Sequence, residues 1–305
     1  MRSYIPDYSL VTPVTLQEAL ELLAREPGVW KPFAGGTDLM VMLEAGKLPH
    51  KNYLNIWSLN ELRGIQVDPN YVNLGALTTY TDVLNHSILK REFPMLCQAA
   101  GETGGPAIQN RGTLGGNIVN ASPAADSPPA LLAYDAEVEL ISANGGRWVS
   151  YLGFHTNYKE IVMRPDELLS RIRVPRVRGG LAQYYRKVGT RKAQAISKIC
   201  LAATGRLAEG RITDIRIAFG SVAPIPIRCL KTEGTLRGRL VDAGSITDAK
   251  ASLVREISPI TDIRSTRDYR LRVSENLLEE FLRGLATGML PSETNNHDKF
   301  NSNRI

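Results

Sequence analysis

The chain has 305 residues, of which 43% are hydrophobic and 22% are charged, and its formal net charge is +6. This composition is typical of a globular protein with a buried core, and the length suits two or three modules of ordinary size. No apolar run approaches the ~20 residues of a membrane span, and the first residues contain no apolar segment of a secretory signal.

Residues 1–57 are predicted to form one αβ unit. Thr15 is a suitable N-cap for an amphipathic helix that runs to about residue 26. A short strand at 29–34 then leads into a glycine-rich loop, and the apolar residues 39–43 continue from that loop as a helical turn. A second strand is predicted at 53–56. A strand, a glycine loop and a helix start in succession form an anion-binding site.

Residues 58–177 are predicted to form a second αβ unit. A β-hairpin is expected at 65–74, because a turn sequence interrupts two short apolar runs. Helical spacing at 77–98 predicts two helices that separate near Pro94. Alternating residues at 137–149 predict two strands joined by a glycine turn, and a last strand is expected at 166–174.

The best candidate for a domain boundary is the glycine-rich, charged stretch at 177–180, which lacks periodicity. Beyond it the pattern predicts an antiparallel meander followed by two amphipathic helices. The predicted strands are 183–188, 195–207 and 211–220, and the predicted helices are 245–257 and 268–285. The sequence therefore predicts an α+β protein with domains at 1–177 and 181–288 and a flexible polar tail at 289–305.

Two glycine-rich stretches stand out as candidate binding loops, residues 31–39 and residues 111–117. Each has a Gly-Gly pair with a threonine beside it and an apolar run after it. Glycine permits positive φ and close backbone approach, so free N–H groups on such loops can bind an anion. The pair indicates two phosphates or one pyrophosphate, with the hydroxyls of Thr37 and Thr113 as further donors. A Gly-x-Gly-x-x-Gly motif is absent, which excludes the Rossmann type of dinucleotide site.

No acid–base set emerges from the sequence. The four histidines are isolated and are interpreted as structural, and the motifs of serine hydrolases, zinc proteases and P-loop enzymes are missing. Cys97, Cys200 and Cys229 are scattered and odd in number, which argues against a disulfide scaffold or an iron–sulfur or zinc site and fits a reducing cytoplasm. We therefore expect no catalytic or metal-binding residue here, and chemistry that belongs to a bound cofactor.

Basic residues are crowded after Met163. Such a run is typical of strand faces that are solvated or paired with acidic side chains. Attraction of an acidic cofactor or of a partner subunit is the functional alternative. Nucleic acid is the weakest reading, because no recognition motif accompanies the charge.

Three motifs together resemble the FAD-binding subunit of the molybdenum hydroxylases, the family of xanthine and carbon monoxide dehydrogenases. They are Phe33-Ala34-Gly35-Gly36-Thr37-Asp38-Leu39, Arg111-Gly112-Thr113-Leu114-Gly115-Gly116-Asn117 and Ala121-Ser122-Pro123-Ala124-Ala125-Asp126. The resemblance extends from residue 1 to about residue 290. Within the family it is greatest to the separate FAD subunits of bacterial xanthine dehydrogenases, on the stretches 153–156 and 223–229.

This resemblance implies an FAD-binding fold of the vanillyl-alcohol-oxidase type, made of subdomains 1–57 and 58–177, followed by a smaller C-terminal domain. It implies that FAD is bound by the following residues: Lys31, Pro32, Phe33, Ala34, Gly35, Gly36, Thr37, Asp38, Leu39, Thr113, Leu114, Gly115, Gly116, Asn117, Asp126, Leu169 and Lys187. Backbone amides of both loops would surround the pyrophosphate. Asp126 would accept from a ribose hydroxyl or the adenine amine, unless it merely caps its loop. Leu169 would pack on the flavin.

The resemblance also places Lys187 beside the flavin ring, where its charge would stabilise the anionic reduced flavin by about 1–4 kcal/mol. Three features depart from the family pattern. The four-cysteine insertion of some members is absent, Gln109 interrupts an Ile-Arg-Asn run, and Asn157 stands where glycine is common.

The sequence thus favours an electron-transfer flavoprotein subunit. Its partners would be a large molybdopterin-binding subunit and a small subunit with two [2Fe–2S] clusters, and NAD or another acceptor would take the electrons. Purine substrates are favoured by overall likeness; the same subunit in a carbon monoxide, aldehyde or N-heterocycle dehydrogenase is an alternative. A self-contained flavin oxidoreductase of this fold and a binding protein that has lost its flavin are two further alternatives.

Overall fold

The computed structural model describes residues 7–177, 180–191 and 194–290. Residues 291–305 of the predicted tail at 289–305 and part of the predicted boundary at 177–180 lie outside these residues. Within them, no helix is long and apolar enough to cross a membrane.

The first unit is a small parallel sheet with helices. It comprises β1 (Ser9–Val11), α1 (Leu16–Arg25), β2 (Lys31–Phe33), α2 (Leu39–Glu44) and β3 (Asn52–Asn55). The strands lie in the order β1-β3-β2, and both neighbours pair parallel to β3. The Thr15 hydroxyl accepts from the Glu18 amide, so the predicted N-cap of α1 is confirmed. The prediction missed β1, because three exposed residues carry no alternation.

The second unit is a five-stranded antiparallel sheet covered by helices, with strand order β4-β5-β10-β6-β7. Its elements are β4 (Ile65–Val67), β5 (Tyr71–Gly75), α3 (Tyr80–Asn85), α4 (Ser87–Glu92), α5 (Pro94–Glu102), α6 (Pro106–Gln109), α7 (Leu114–Val119), α8 (Ser127–Ala133), β6 (Glu137–Ser142), β7 (Gly145–Ser150), β8 (His155–Asn157), β9 (Glu160–Ile161) and β10 (Leu168–Pro175). The predicted hairpin and the strand–turn–strand at 137–149 are confirmed.

Two predictions of local structure were wrong in part in this unit. The stretch predicted as two helices contains three, α3, α4 and α5: the predicted separation near Pro94 is present, and His86 also divides the first predicted helix. The second glycine stretch is not a loop throughout. Gly115 and Gly116 lie in the first turn of α7, where the Thr113 hydroxyl accepts from the Gly116 amide and stabilises a helix start that glycine itself disfavours.

The C-terminal unit is a four-stranded antiparallel sheet in the order β11-β12-β13-β14, with three helices. Its elements are β11 (Ala182–Val188), β12 (Ile199–Ala208), β13 (Arg211–Gly220), β14 (Ile227–Arg228), α9 (Leu230–Leu236), α10 (Ala243–Glu256) and α11 (Arg267–Thr287). The predicted meander and both long helices are confirmed. The strand predicted from 195 begins at Ile199, because the described residues before it form a loop. The short helix α9 was missed.

The basic residues after Met163 pair largely with carboxylates. Arg171 and Arg173 reach Glu139 and Glu137 across the strands, and Arg176 binds Glu92 at 2.7 Å. These pairs match the reading of solvated, paired strand faces.

The C-terminal sheet packs directly on the second unit. Helix α8 contacts β12 and β13, and the hydroxyl of Tyr134 bonds to Gln183. Gly220 lies against the carbonyl oxygens of Pro123 and Ala125. Residues 121–126, which form one of the motifs of the family resemblance, therefore lie at the interface between the two domains.

Candidate cofactor site

A cavity of about 1050 Å³ opens where the three units meet, a volume at the upper end for small-molecule sites. Fourteen predicted ligand residues line it, namely Lys31, Pro32, Ala34, Gly35, Gly36, Thr37, Asp38, Leu39, Thr113, Gly115, Gly116, Asn117, Asp126 and Leu169. The structure thus brings together residues from β2, α2, α7, α8 and β10 that are distant in sequence.

Three predicted ligands do not line the cavity. Phe33 packs behind the first loop, where a β-carbon on Gly36 would lie 2.7 Å from its ring. Leu114 is fully buried in the core of the second unit. Lys187 lies behind Asp126. The side chains of these three residues lie behind the cavity wall in this structure, and their contact with FAD stays a prediction.

The two glycine stretches touch each other through their backbones. A β-carbon on Gly35 would lie 1.7 Å from the carbonyl oxygen of Arg111 and 3.3 Å from the nitrogen of Gly112. Gly36 has φ +77°, which disfavours every other residue type. Glycine is therefore required in the first loop for close approach and for backbone conformation.

Free backbone donors are concentrated in the first loop. The N–H groups of Gly35, Gly36, Thr37 and Asp38 donate to no group in the described parts of the chain, and the Thr37 hydroxyl has no hydrogen-bond partner there. All four residues line the cavity. Gly35, Gly36 and Thr37 are half-buried and Asp38 is exposed. Because successive free N–H groups on one loop can bind an anion together, these donors are suited to an anionic ligand.

The second stretch is different, and here the prediction was wrong in part. The amides of Leu114 and Gly115 donate to the carbonyls of Thr78 and Ala76 at 3.0 and 2.9 Å, and those of Gly116 and Asn117 donate to Thr113. The amides of residues 114–117 are therefore engaged within the protein, whereas the Thr113 amide donates to no group in the described residues. This stretch supports the first loop and contributes side chains and surface, while most of the available backbone donors lie at 35–38.

The Asp126 carboxylate is buried, with 8% of the residue exposed. Its Oδ2 lies 2.8 Å from the Lys187 ammonium, and its Oδ1 accepts from the Ser197 hydroxyl at 2.6 Å. Burial raises the pKa of Asp126 despite the lowering effect of Lys187. The C-terminal domain, through Lys187 and Ser197, therefore covers this carboxylate.

The position of Lys187 changes its expected electrostatic role. Its ammonium also donates to the carbonyl of Glu102 at 2.9 Å. A cation in contact with a carboxylate presents little net charge to its surroundings. The stabilisation of 1–4 kcal/mol expected from a lone cation at the flavin edge is thus largely offset by Asp126.

The histidines support the interpretation as structural residues. None of His50, His86 and His155, which are the described ones, lines the cavity. His155 is buried and its Nε2 bonds to the carbonyl of Ile118 at 2.9 Å, so that nitrogen carries the proton. Burial lowers the pKa of His155 and favours the neutral ring. His297 lies outside the described residues.

Sequence reasoning missed several cavity residues from the C-terminal domain. Ser197, Ser221, Asp262 and Arg270 all line the cavity. Arg270 is buried and binds both oxygens of Asp262, at 2.8 and 2.9 Å, as well as the carbonyl of Ser221. Positive φ at Ser221, which strains a non-glycine residue, has no signature in sequence. The one sequence signal for these cavity residues was the presence of an aspartate and an arginine eight residues apart, Asp262 and Arg270, which can form an ion pair.

Thr113→Ala is expected to weaken the start of α7, because it removes the acceptor for the Gly116 amide. Loss of an N-cap lowers the free energy of unfolding by about 1 kcal/mol. Thr113→Ser retains the hydroxyl and serves as the matched control. Urea unfolding of the two variants checks the prediction, and equal stability of alanine and serine variants would contradict it.

Both domains match known protein families. The family model "FAD binding domain in molybdopterin dehydrogenase" matches residues 6–177, and "CO dehydrogenase flavoprotein C-terminal domain" matches residues 183–285. The xanthine dehydrogenase FAD-binding subunit of Escherichia coli O157:H7 is 34% identical over 270 residues, which cover 88% of this chain and 92% of that protein.

Two further relatives extend this similarity. The glyceraldehyde dehydrogenase medium chain of Sulfolobus acidocaldarius is 34% identical over 284 residues, which cover 93% of this chain and 100% of that protein. Among solved structures, a carbon monoxide dehydrogenase of Hydrogenophaga pseudoflava matches with a TM-score of 0.88 at 27% identity, covering 94% of this chain and 99% of that one.

Proposed function

This chain belongs to the FAD-binding subunits of the molybdopterin dehydrogenase family, and we propose that it transfers electrons through FAD between iron–sulfur clusters on a partner subunit and a soluble acceptor. The observation that carries the proposal is the group of unpaired N–H donors at 35–38 on the wall of the large cavity between the domains. The proposed acceptor is NAD, or alternatively another oxidant.

The residues present fit FAD. An extended dinucleotide needs a large cavity with hydrogen-bond donors for its central pyrophosphate. The N–H groups of residues 35–38 supply such donors in a cavity that residues of both domains line. The close backbone contact between Gly35 and Arg111 leaves no room for a side chain, so the donors are fixed before a ligand arrives. Preorganised donors lose little ordering entropy on binding.

In the proposed mechanism the protein binds and orients the cofactor. Donors at 35–38 bind the pyrophosphate, and Leu169, buried on β10, presents an apolar surface to the cavity. Asp126, which is buried in the cavity wall, would supply an acceptor. FAD, when bound, would accept single electrons from iron–sulfur clusters and pass them on as a pair, which no side chain of this cavity can do.

We propose that substrate oxidation takes place on a large molybdopterin-binding subunit and that a small [2Fe–2S] subunit delivers the electrons. The relatives named above are dehydrogenases of xanthine, glyceraldehyde and carbon monoxide. Related medium chains in enzymes with such different substrates are expected if another subunit of the complex binds and selects the substrate. Among the described residues, no group of His, Cys, Asp or Glu side chains is arranged to bind a metal ion. We place the complex in the cytoplasm, where the three free cysteines described here stay reduced.

The test uses the assembled complex, with the chain co-expressed with its proposed partner subunits. Under anaerobic conditions, substrate should reduce the clusters and bleach the flavin absorbance, and NAD should restore it. A complex that carries a flavin-free variant of this chain should still reduce its clusters but should not reduce NAD. Undiminished NAD reduction in that complex would refute the proposed role.

A self-contained flavin oxidoreductase is the second candidate, since it would use the same cavity. It requires an acid–base residue beside the flavin; no described histidine lines the cavity, although aspartate, lysine and tyrosine side chains do. Turnover of a small substrate by the isolated chain would favour this alternative over the electron-transfer role.

A further inference from the structure

Ser197 connects the two domains at the cofactor cavity. It lies in the segment between β11 and β12, only 1% of it is exposed, and it lines the cavity. Its hydroxyl donates to Asp126 Oδ1 at 2.6 Å, and its carbonyl accepts from the Ser221 hydroxyl at 3.0 Å. Asp126 belongs to the FAD-binding domain, whereas both serines belong to the C-terminal domain.

The two oxygens of Asp126 are bound from different directions. Lys187 binds Oδ2 at 2.8 Å, with Thr103 more distant at 3.5 Å, while Ser197 binds Oδ1. An ammonium is a compact charge with rotatable donors and does not by itself fix the plane of a carboxylate. A second donor on the other oxygen, here the Ser197 hydroxyl, fixes that plane. An ionised carboxylate has about four acceptor positions, so capacity remains for a ligand in the cavity.

Ser221 anchors this arrangement to the first domain. Its amide donates to the carbonyl of Pro123 at 2.7 Å, and its own carbonyl accepts from buried Arg270 at 3.0 Å. The segment that leads to Asp126 and the serine that orients it are therefore held by the same interdomain contacts. A shift of the C-terminal domain would move the donors on both carboxylate oxygens together.

We propose that Ser197 is a positioning residue of the cofactor site, which orients the Asp126 carboxylate so that docking of the C-terminal domain sets the affinity for FAD. This inference rests on the proposed function, because it requires FAD in this cavity. It assigns to the C-terminal domain a role in cofactor binding that acts through Asp126.

The charge state of Asp126 provides a readout that a purely structural serine would not change. Burial raises the pKa of Asp126, while Lys187 and Ser197 lower it. The other titratable groups around it are Tyr80 on α3, Glu102 on α5, Tyr185 on β11 and Cys200 on β12. Loss of Ser197 raises this pKa further. As pH falls, the Ser197→Ala protein should therefore lose FAD at a higher pH than the wild type.

The experiment is a titration of the full chain with FAD, for wild type, Ser197→Ala, Asp126→Asn and the double variant, at several pH values. Ser197→Ala should raise the dissociation constant for FAD about tenfold, because the Asp126 side chain is then no longer held in its binding orientation before FAD binds. In the Asp126→Asn background the same change should have little further effect, because Ser197 acts through Asp126. Ser252→Ala, a buried serine of α10 away from the cavity, is the matched control and should bind FAD as the wild type does.

The outcomes separate this inference from the proposed function. If wild type binds FAD and Ser197→Ala binds it equally well, or if the two substitutions act additively, the positioning role is wrong and the proposed function stands. If wild type binds no FAD, the proposed function fails and this inference fails with it. Ser197→Ala and Ser252→Ala should have similar unfolding free energies, and a much greater loss for Ser197→Ala would assign the serine to folding alone.

Discussion

Gly35→Ala should abolish FAD retention. The new β-carbon would lie 1.7 Å from the carbonyl oxygen of Arg111 and 2.6 Å from its carbonyl carbon. Both atoms belong to the backbone, so no side-chain rotation relieves the contact, and the two glycine stretches must move apart. The displacement carries the N–H groups at 35–38 with it. Losing two hydrogen bonds to a charged acceptor, each of about 1.5–3 kcal/mol, weakens binding by roughly 100-fold or more.

Gly234→Ala is the matched control for this substitution. Gly234 lies within α9, where a β-carbon would meet no atom within 4 Å. In a helix interior alanine is favoured over glycine by about 1 kcal/mol, so this variant should retain FAD and unfold no more easily than the wild type. The measurement is the flavin absorbance retained after gel filtration. Full retention by the Gly35→Ala protein would show that the two backbones need not touch for FAD to bind.

Lys187→Met should produce the second large effect, on the stability of the chain itself. The Lys187 side chain is 6% exposed and its ammonium is the cation paired with buried Asp126. Removing one member of a buried ion pair leaves an uncompensated charge and typically costs about 3–5 kcal/mol. We therefore expect the free energy of unfolding at neutral pH, measured with urea, to fall by about this amount.

The pH dependence of this loss has a definite sign. Without Lys187, the pKa of Asp126 in the folded protein lies further above its unfolded value, because burial dominates. The folded state then binds more protons than the unfolded state, so stability decreases as pH rises above about 4. The deficit relative to wild type should be small in acid and should grow toward neutral pH. A deficit that grows toward acid pH would contradict the assignment of a buried, uncompensated Asp126.

The double variant Asp126→Asn with Lys187→Met is the control for charge. It removes both charges, and neutral replacements of a buried pair are often close to the original in stability. It should therefore be more stable than Lys187→Met alone. A double variant that is as unstable as the single one would show that Lys187 contributes through packing and not through its charge.

The sequence was sufficient for elements whose cause is local. The helix capped by Thr15, the meander that includes Arg211–Gly220 and the long helix near the C-terminus all follow from caps, alternation and helical spacing. The first glycine loop was predicted for the correct reason, since close approach and positive φ both require glycine there.

Predictions failed where the cause is contact between distant segments. Gly115 and Gly116 were assigned to a loop, yet Thr113 and the carbonyl of Ala76 satisfy their amides in a helical turn. The burial of Asp126 could not be predicted, because nothing in its own loop indicates that Lys187 and Ser197 contact it. The contributions of Ser221 and Arg270 depend on a domain interface that one sequence does not encode in any short motif.

The most direct test of the central claim is a titration of the isolated chain with FAD and, separately, with riboflavin. Riboflavin has the same ring system but lacks the pyrophosphate and the adenosine. If the unpaired N–H groups at 35–38 bind the pyrophosphate, FAD should bind tightly at one per chain and riboflavin should bind roughly 100-fold or more weakly. Equal affinity for the two ligands, or no uptake of FAD, would contradict the assignment of this cavity as the cofactor site.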